Sequence, residues 1–349
     1  MGMVRAVINP LNRASYILLG LISEINKSGN QDPTELNLRV IIAAVIVAIV
    51  VVVGVAYDAA NLGAAPQVAC STTGGVVPVV AGENFWGSLV SQMGGAHVNV
   101  TSIVTNPNTD PHEYESDAAD ARAIADACLV VVNGAGYDTW ALNEIAASNA
   151  PHQMVLNVQV LLGQPVNANP HFWYSPYYVN TTVGAMYKDL VAIDPADAGY
   201  YRQQYATLNS SLWNSYMKEE SLIKQQFAGA PVASTENIFV YMANATGLKI
   251  ITPQAFMEAV AEGNDPSAQD VATFQNQLNG GNSTVRVLVY NAQTVSPLTQ
   301  SLLALAAKNG IPYIRITETI QPIAYTFQAW MQGEVGQLQN ALNAAALGR

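Results

Sequence analysis

From Val77 onward the apolar and polar positions alternate between two regimes. In "VVPVVAGENFWGSLVSQMGG" a short apolar run gives way at Asn84 to Phe85, Leu89 and Met93 at near-helical spacing, and Gly94 and Gly95 end the stretch. This is a strand followed by a helix. The pair recurs as "HVNVTSIV" and "DAADARAIADA", then "CLVVVNG" and "TWALNEIAAS", then a strand in "QMVLNVQVL". A long helical stretch follows from Ala196 to Gln226, with Tyr201, Tyr205, Leu208, Leu212, Tyr216, Leu222 and Phe227 on nearly one stripe. At about 1.5 Å per residue it spans roughly 45 Å, the length of a spine between lobes. A second series then has strands in "PVASTEN", "KIITPQ", "VRVLVYN" and "PYIRITE". Its helices are expected around Ile238 to Ala245, Ala268 to Leu278, Pro297 to Lys308 and Ala324 to Ala345. Strands alternating with helices imply parallel sheets with helices on their faces. The expected fold class is therefore α/β, two lobes with parallel β-sheets joined by one long spine helix, with the cleft between them as the ligand site.

Ahead of this pattern lies a different one. "VIIAAVIVAIVVVVGVA", Val40 to Ala56, is apolar throughout, at the short end of the ~17–25 residues of a spanning helix. Arg5, Arg13, Lys27 and Arg39 precede it, and no Lys or Arg follows before Arg122, so the positive-inside rule orients the remainder outside the cytoplasm. The chain then divides into a cytoplasmic segment (1–39), a transmembrane anchor or signal (40–57) and a small-residue linker (58–75). An N-terminal lobe (76–194), a linking helix (195–229) and a C-terminal lobe (230–349) follow. Cys70 in "LGAAPQVAC" invites comparison with a lipid-attachment site, but Gln67 stands where such a signal has an aliphatic residue, so the helix is the expected anchor.

Composition fits an exported chain. Half of the residues are hydrophobic, enough for two cores, and only 11% are charged, so the surface is polar mainly through uncharged groups. The net charge of −11 excludes an electrostatic footprint for nucleic acid and favours cationic ligands. Sequons at Asn99, Asn180, Asn209, Asn244 and Asn282 are glycosylation acceptors in principle.

The candidate chemistry sits in loops after strands. "TNPNTDPHEYES" places His112 in the loop after the strand ending near Val104, and "NPHFWYSP" places His171 in a similar loop of the same lobe. The chain has four histidines. His97 and His152 precede strands, at the opposite edge of the sheet, and read as structural. In the second lobe "ASTENIFVYM" delivers Glu236 to a strand end. Two imidazoles and a carboxylate converging from different strand ends make a site for a divalent transition metal. Exposed Glu113 and Glu115 would attract cations to the rim, or form only a solvated edge.

The ordered stretches "GENFWGSLVSQMGGAHVNVTSIVTNPNTDPHEYE", "ARAIADACLVVVNGAGYDTW", "NPHFWYSP", "TPQAFMEAVAEGNDPSAQDVATF", "VLVYNAQTVSPLT" and "GIPYIRITET" carry a resemblance from Val77 to Leu342. The chain resembles the solute-binding proteins of Zn/Mn-type ABC transporters. The resemblance implies two lobes on a rigid helix and a metal at their interface, with His112, His171 and Glu236 at ligand positions. The family's second-lobe acid has no counterpart in "YNAQTVSP", where Gln293, Asn291, Thr294 or water would stand in as fourth ligand. Ser175 replaces the family's usual Asp before Pro176 but still serves as a helix N-cap. No His-rich loop lies between His112 and His171, which tilts the cargo toward Mn, while Zn stands higher in intrinsic affinity; the cargo is Mn or Zn.

The implied role is extracytoplasmic capture and delivery to an ABC permease and its ATPase subunit, by a monomer that is not an enzyme and is held at the membrane by its N-terminal helix. The competing classes are a surface metallohydrolase with Glu113 as general base, for which "HEYE" lacks the second His of the helical zinc motif, and an adhesin on the same scaffold. Cys70 and Cys128 lie ahead of two strands; if these are neighbours, an oxidising exterior allows a disulfide, and otherwise both are free thiols.

Overall fold

A computed structural model describes Cys70 and residues 75–108, 111–148, 150–280 and 284–347. The apolar run at 40–57, the cytoplasmic segment and nearly all of the linker lie outside the described residues. Among the described residues no helix is long and apolar enough to cross a membrane.

The first lobe is built from β1 (Val77–Glu83), α1 (Asn84–Gly94), β2 (Val98–Val104), α2 (Ala118–Asp126), β3 (Leu129–Val132), α3 (Thr139–Ser148) and β4 (Met154–Asn157). Its strands are parallel in the order β2-β1-β3-β4. β3 is buried at every position, the signature of a central parallel strand covered on both faces. The apolar stripe of α1, with Phe85, Trp86, Leu89 and Met93, is buried on the sheet. α2 begins at a reciprocal cap in which Asp117 and Asp120 satisfy exposed backbone N–H groups. The strand expected across "QMVLNVQVL" is shorter than the pattern suggests. It stops at Asn157, whose side chain accepts from Val160 N–H and turns the chain into one helical turn.

Ser175 caps α4 (Pro176–Ile193) as expected, accepting from Tyr178 N–H with Pro176 in the first turn. The spine follows as α5 (Ala198–Leu212), a π-helical segment Trp213–Met217, and α6 (Lys218–Phe227). Its helical hydrogen bonding is therefore interrupted in the middle, where Ser215 leaves helical geometry at φ −88° and ψ −110°.

The second lobe contains β5 (Pro231–Ser234), α7 (Val240–Thr246), β6 (Lys249–Ile250), α8 (Gln254–Ala261), α9 (Ala268–Asn279), β7 (Leu288–Asn291), α10 (Pro297–Lys308), β8 (Tyr313–Ile316) and α11 (Phe327–Leu347). Its parallel order is β6-β5-β7-β8. The strand expected in "KIITPQ" shrinks to two residues at the sheet edge, because Pro253 caps α8, a helix the periodicity did not announce.

One buried apolar cluster runs through both lobes, from Val77 to Leu342. Phe85 stacks on Trp173 at 4.1 Å, and Trp330 of α11 lies 6.5 Å from Phe85. The lobes therefore meet through packed aromatic rings. Cys70 and Cys128 form a disulfide with Cα atoms 5.6 Å apart, as adjacency of β1 and β3 allows. His97 lies at the start of β2, where its Nδ1 is 2.5 Å from Asp197 Oδ2.

Candidate metal centre

In both sheets the strand order reverses between the two central strands, β1/β3 in the first lobe and β5/β7 in the second. Loops at the carboxyl ends of strands diverge at such a point and leave room for a ligand. The loop after β2 carries His112 in a single 3-10 turn, Pro111–Glu113. His171 precedes the 3-10 turn Phe172–Tyr174. Glu236 follows β5, and Glu318 follows β8.

His112, His171 and Glu318 each offer one ligand atom, and these atoms lie within 4.8 Å of one another. His112 Nε2 is 3.4 Å and His171 Nε2 is 3.9 Å from the same oxygen, Glu318 Oε2. A tetrahedral ion with bonds of about 2.0–2.1 Å separates its ligand atoms by roughly 3.3–3.5 Å, so small side-chain adjustments bring these three donors onto one ion. Glu236 joins this group through Asn291. Asn291 Nδ2 donates to Glu236 Oε1 at 2.8 Å and to Glu318 Oε1 at 2.6 Å, tying the two carboxylates together.

Each candidate ligand is held by neighbours. The Oδ1 of Asn169 accepts from the backbone N–H of His171 at 3.1 Å and lies 2.6 Å from His171 Nδ1. Asn169 Nδ2 donates to the Asn237 carbonyl at 2.7 Å, which fixes the amide orientation and makes Oδ1 the acceptor. The proton therefore sits on Nδ1 of His171, and the lone pair of Nε2, buried without a hydrogen-bond partner, faces the site. Tyr241 donates to the Asn169 carbonyl, so this support spans both lobes. Glu318 Oε2 accepts from the Tyr137 hydroxyl at 2.8 Å. Tyr137 sits in the turn after β3, where Asp138 accepts from Asn133 and Gly134 N–H. Gly134 has φ +75°, and a Cβ there would collide with Asn157 Oδ1, so this turn requires glycine. On the other side, Glu334 of α11 accepts from Thr317 N–H and from Trp330 Nε1, anchoring the backbone next to Glu318.

The electrostatics suit an ion of positive charge. His171 is buried, and desolvation followed by repulsion from His112 drives its pKa well below the ordinary value, so the ring is neutral at neutral pH. Burial, then the charge of Glu318, raises Glu236 to about 8, against the opposing hydrogen bonds from Thr294 and Asn291. At pH 7 Glu236 therefore favours its protonated form, and a divalent cation would displace that proton.

Of the residues expected as ligands, His112 and His171 belong to this group, whereas Glu236 lies outside it and is linked to Glu318 through Asn291. The residues considered for the fourth position lie beside it, in other relations. Gln293 was expected to be the fourth ligand, but its Oε1 accepts from Glu318 N–H at 2.7 Å and Thr319 N–H at 3.2 Å, so it supports the loop that carries Glu318. Asn291 and Thr294 donate to Glu236. The acidic group sought in "YNAQTVSP" stands one strand later, at Glu318 in "IRITET". The signal for it was the one that found Glu236: an acid two residues past an apolar strand. Glu113 and Glu115 are exposed.

The profile of the family described as ZnuA, zinc-uptake complex component A periplasmic, matches residues 79–341. The chain is 26% identical over 211 residues to the manganese-binding lipoprotein MntA of Halalkalibacterium halodurans, covering 58% of this chain and 68% of that protein. It is 22% identical over 180 residues to the zinc-binding protein TroA of Treponema pallidum, covering 48% of this chain and 56% of that one. A crystal structure of ZnuA aligns with a TM-score of 0.62 at 22% identity, covering 76% of this chain and 99% of the other. The Mn-bound periplasmic metal binding protein of Candidatus Liberibacter asiaticus aligns with a TM-score of 0.63 at 18% identity, covering 76% and 98%. These structural likenesses establish the fold.

Proposed function

The chain belongs to the ZnuA family, zinc-uptake complex component A, and from that premise we propose that it captures a divalent transition-metal ion, Mn or Zn, outside the cytoplasm and delivers it to an ABC permease and its ATPase. The observation that carries this reading is the convergence of His112, His171 and Glu318 ligand atoms within 4.8 Å of one another. The proposed ligands are His112 Nε2, His171 Nε2, Glu318 and Glu236, two from each lobe. Imidazole and carboxylate donors suit both ions. The metal is cargo: four protein ligands leave no open position for a reactive water, which a catalytic metal requires. The relatives' names, a manganese-binding and a zinc-binding protein, support a cargo of this class. We place the domain from residue 76 onward at the cell surface or in the periplasm, as a monomer anchored through the apolar run Val40 to Ala56.

The test is competitive titration of Mn and Zn into the full-length protein and its His112→Ala variant at neutral pH. One tight site that the variant loses supports the reading. Binding indifferent to His112 would show that the scaffold has taken another role.

A further inference from the structure

A second pair of buried acids lies in the first lobe. Glu83, the last residue of β1, is 1% exposed, and Asp138, after β3, is fully buried. Glu83 occupies the N-cap position of α1, yet its side chain makes no capping hydrogen bond. It is hydrogen-bonded to the side chain of Asp138 instead. A hydrogen bond between two carboxyl groups needs a proton on one of them. Both oxygens of Asp138 already accept from the backbone, Oδ2 from Asn133 N–H at 2.5 Å and Oδ1 from Gly134 N–H at 2.8 Å, so Asp138 is the acceptor and Glu83 the acid. Burial, followed by the charge of Asp138, holds Glu83 well above the usual carboxylate range, while Asp138 is raised only to about 6.

The turn that Asp138 clamps runs from Asn133 to Tyr137. Gly134, Ala135 and Gly136 all have positive φ there, and Ala135 at +54° holds a left-handed backbone that an L side chain adopts only where its surroundings impose it. Three ligand segments meet this turn. The Tyr137 hydroxyl donates to Glu318 Oε2 at 2.8 Å, and its ring stands T-shaped to that of His112 at 4.6 Å. Asn133 Nδ2 donates to the carbonyl of Pro170 at 2.9 Å, next to His171. We propose that Glu83 is a positioning residue for the metal: through Asp138 it locks the turn that sets Glu318, His112 and His171. The inference rests on the capture reading. Without the hydrogen of Glu83, the Asp138 carboxylate is buried with backbone donors alone, and the strained turn loses part of its clamp.

The test titrates Zn into the full-length protein at pH 7 by chelator competition and records infrared difference spectra in parallel. Glu83→Gln keeps a donor for Asp138 and should bind Zn within about twofold of wild type, whereas Glu83→Leu, which has none, should bind about tenfold more weakly. In a Tyr137→Phe background the same Leu change should cost less than about threefold, because the route through Tyr137 is already cut. A role in stability alone would leave the full cost. The carboxylic-acid carbonyl band that Glu83→Gln removes should shift when Zn binds to the wild type, and this decides the matter if Glu83→Leu does not fold. Equal weakening by Gln and Leu, unchanged affinity in Glu83→Leu, additive losses, or a band that is missing from wild type or unmoved by Zn would overturn the proposal and leave the capture reading standing. A wild-type protein that takes up no Zn and no Mn would overturn both.

Discussion

Replacing Glu318 by Gln separates what the centre does for metal from what it costs the fold. The variant keeps the shape and one acceptor for Asn291 and Tyr137, whose bonds to Glu318 measure 2.6 Å and 2.8 Å, but removes the charge. Breaking a buried charge pair by removing one partner costs about 3–5 kcal/mol, so metal affinity should fall by roughly 10²–10⁴-fold. Stability of the metal-free protein should move the other way. Glu236 is raised to about 8, and Glu318 is the second of its causes after burial. One pKa unit corresponds to about 1.4 kcal/mol, and assigning less than half of the shift to Glu318 gives a gain of order 1–2 kcal/mol. That is a rise of a few degrees in melting temperature for a domain of this size. Calorimetric metal titration and thermal melting of the metal-free protein read the two effects separately. A variant that binds metal normally, or that loses affinity and stability together, would refute the view of Glu318 as a ligand held at electrostatic expense.

Asn169→Leu removes the acceptor that fixes His171 and should lower metal affinity about 10–100-fold, with a changed ring ¹⁵N signature of His171 in NMR and little change in melting. Because the pKa of Glu236 is raised on folding, its contribution to stability is complete below the unfolded value near 4.5 and is lost as pH rises through about 8; Asp138 and Glu334, raised by burial to about 6 and about 7, act in the same direction. The metal-free protein should therefore melt lower at pH 8 than at pH 5, while saturating metal flattens the difference. At pH 7 binding should release about one proton, measurable as a buffer-dependent calorimetric heat. Reduction of the Cys70–Cys128 disulfide, which closes a loop with a sequence separation of 58, should cost roughly 4 kcal/mol in denaturant melts.

The periodicity of the chain revealed the strand-helix alternation because central strands such as Leu129–Val132 are buried on both faces and α1 buries a single stripe. It missed α8, whose N-terminal cap is Pro253 directly after a two-residue edge strand, a context in which local apolar spacing is ambiguous. The convergence of His112 and His171 was legible because each stands in a polar loop punctuated by Pro, after an apolar segment. Glu318 carries the same local signal as Glu236, an acid two residues past an apolar strand, but only the tertiary fold shows that β8 delivers its loop to the point where His112 and His171 meet. The support of Asn169 by Tyr241, and of Glu318 by Tyr137, crosses from lobe to lobe. No pattern within one segment announces such contacts.

X-ray absorption at the Zn edge of the Zn-loaded protein tests the central claim most directly. The account requires a first shell of nitrogen and oxygen near 2.0–2.1 Å with the multiple scattering of two imidazoles, reduced to one in His171→Ala. A shell of oxygen alone, or one unchanged in that variant, would contradict it.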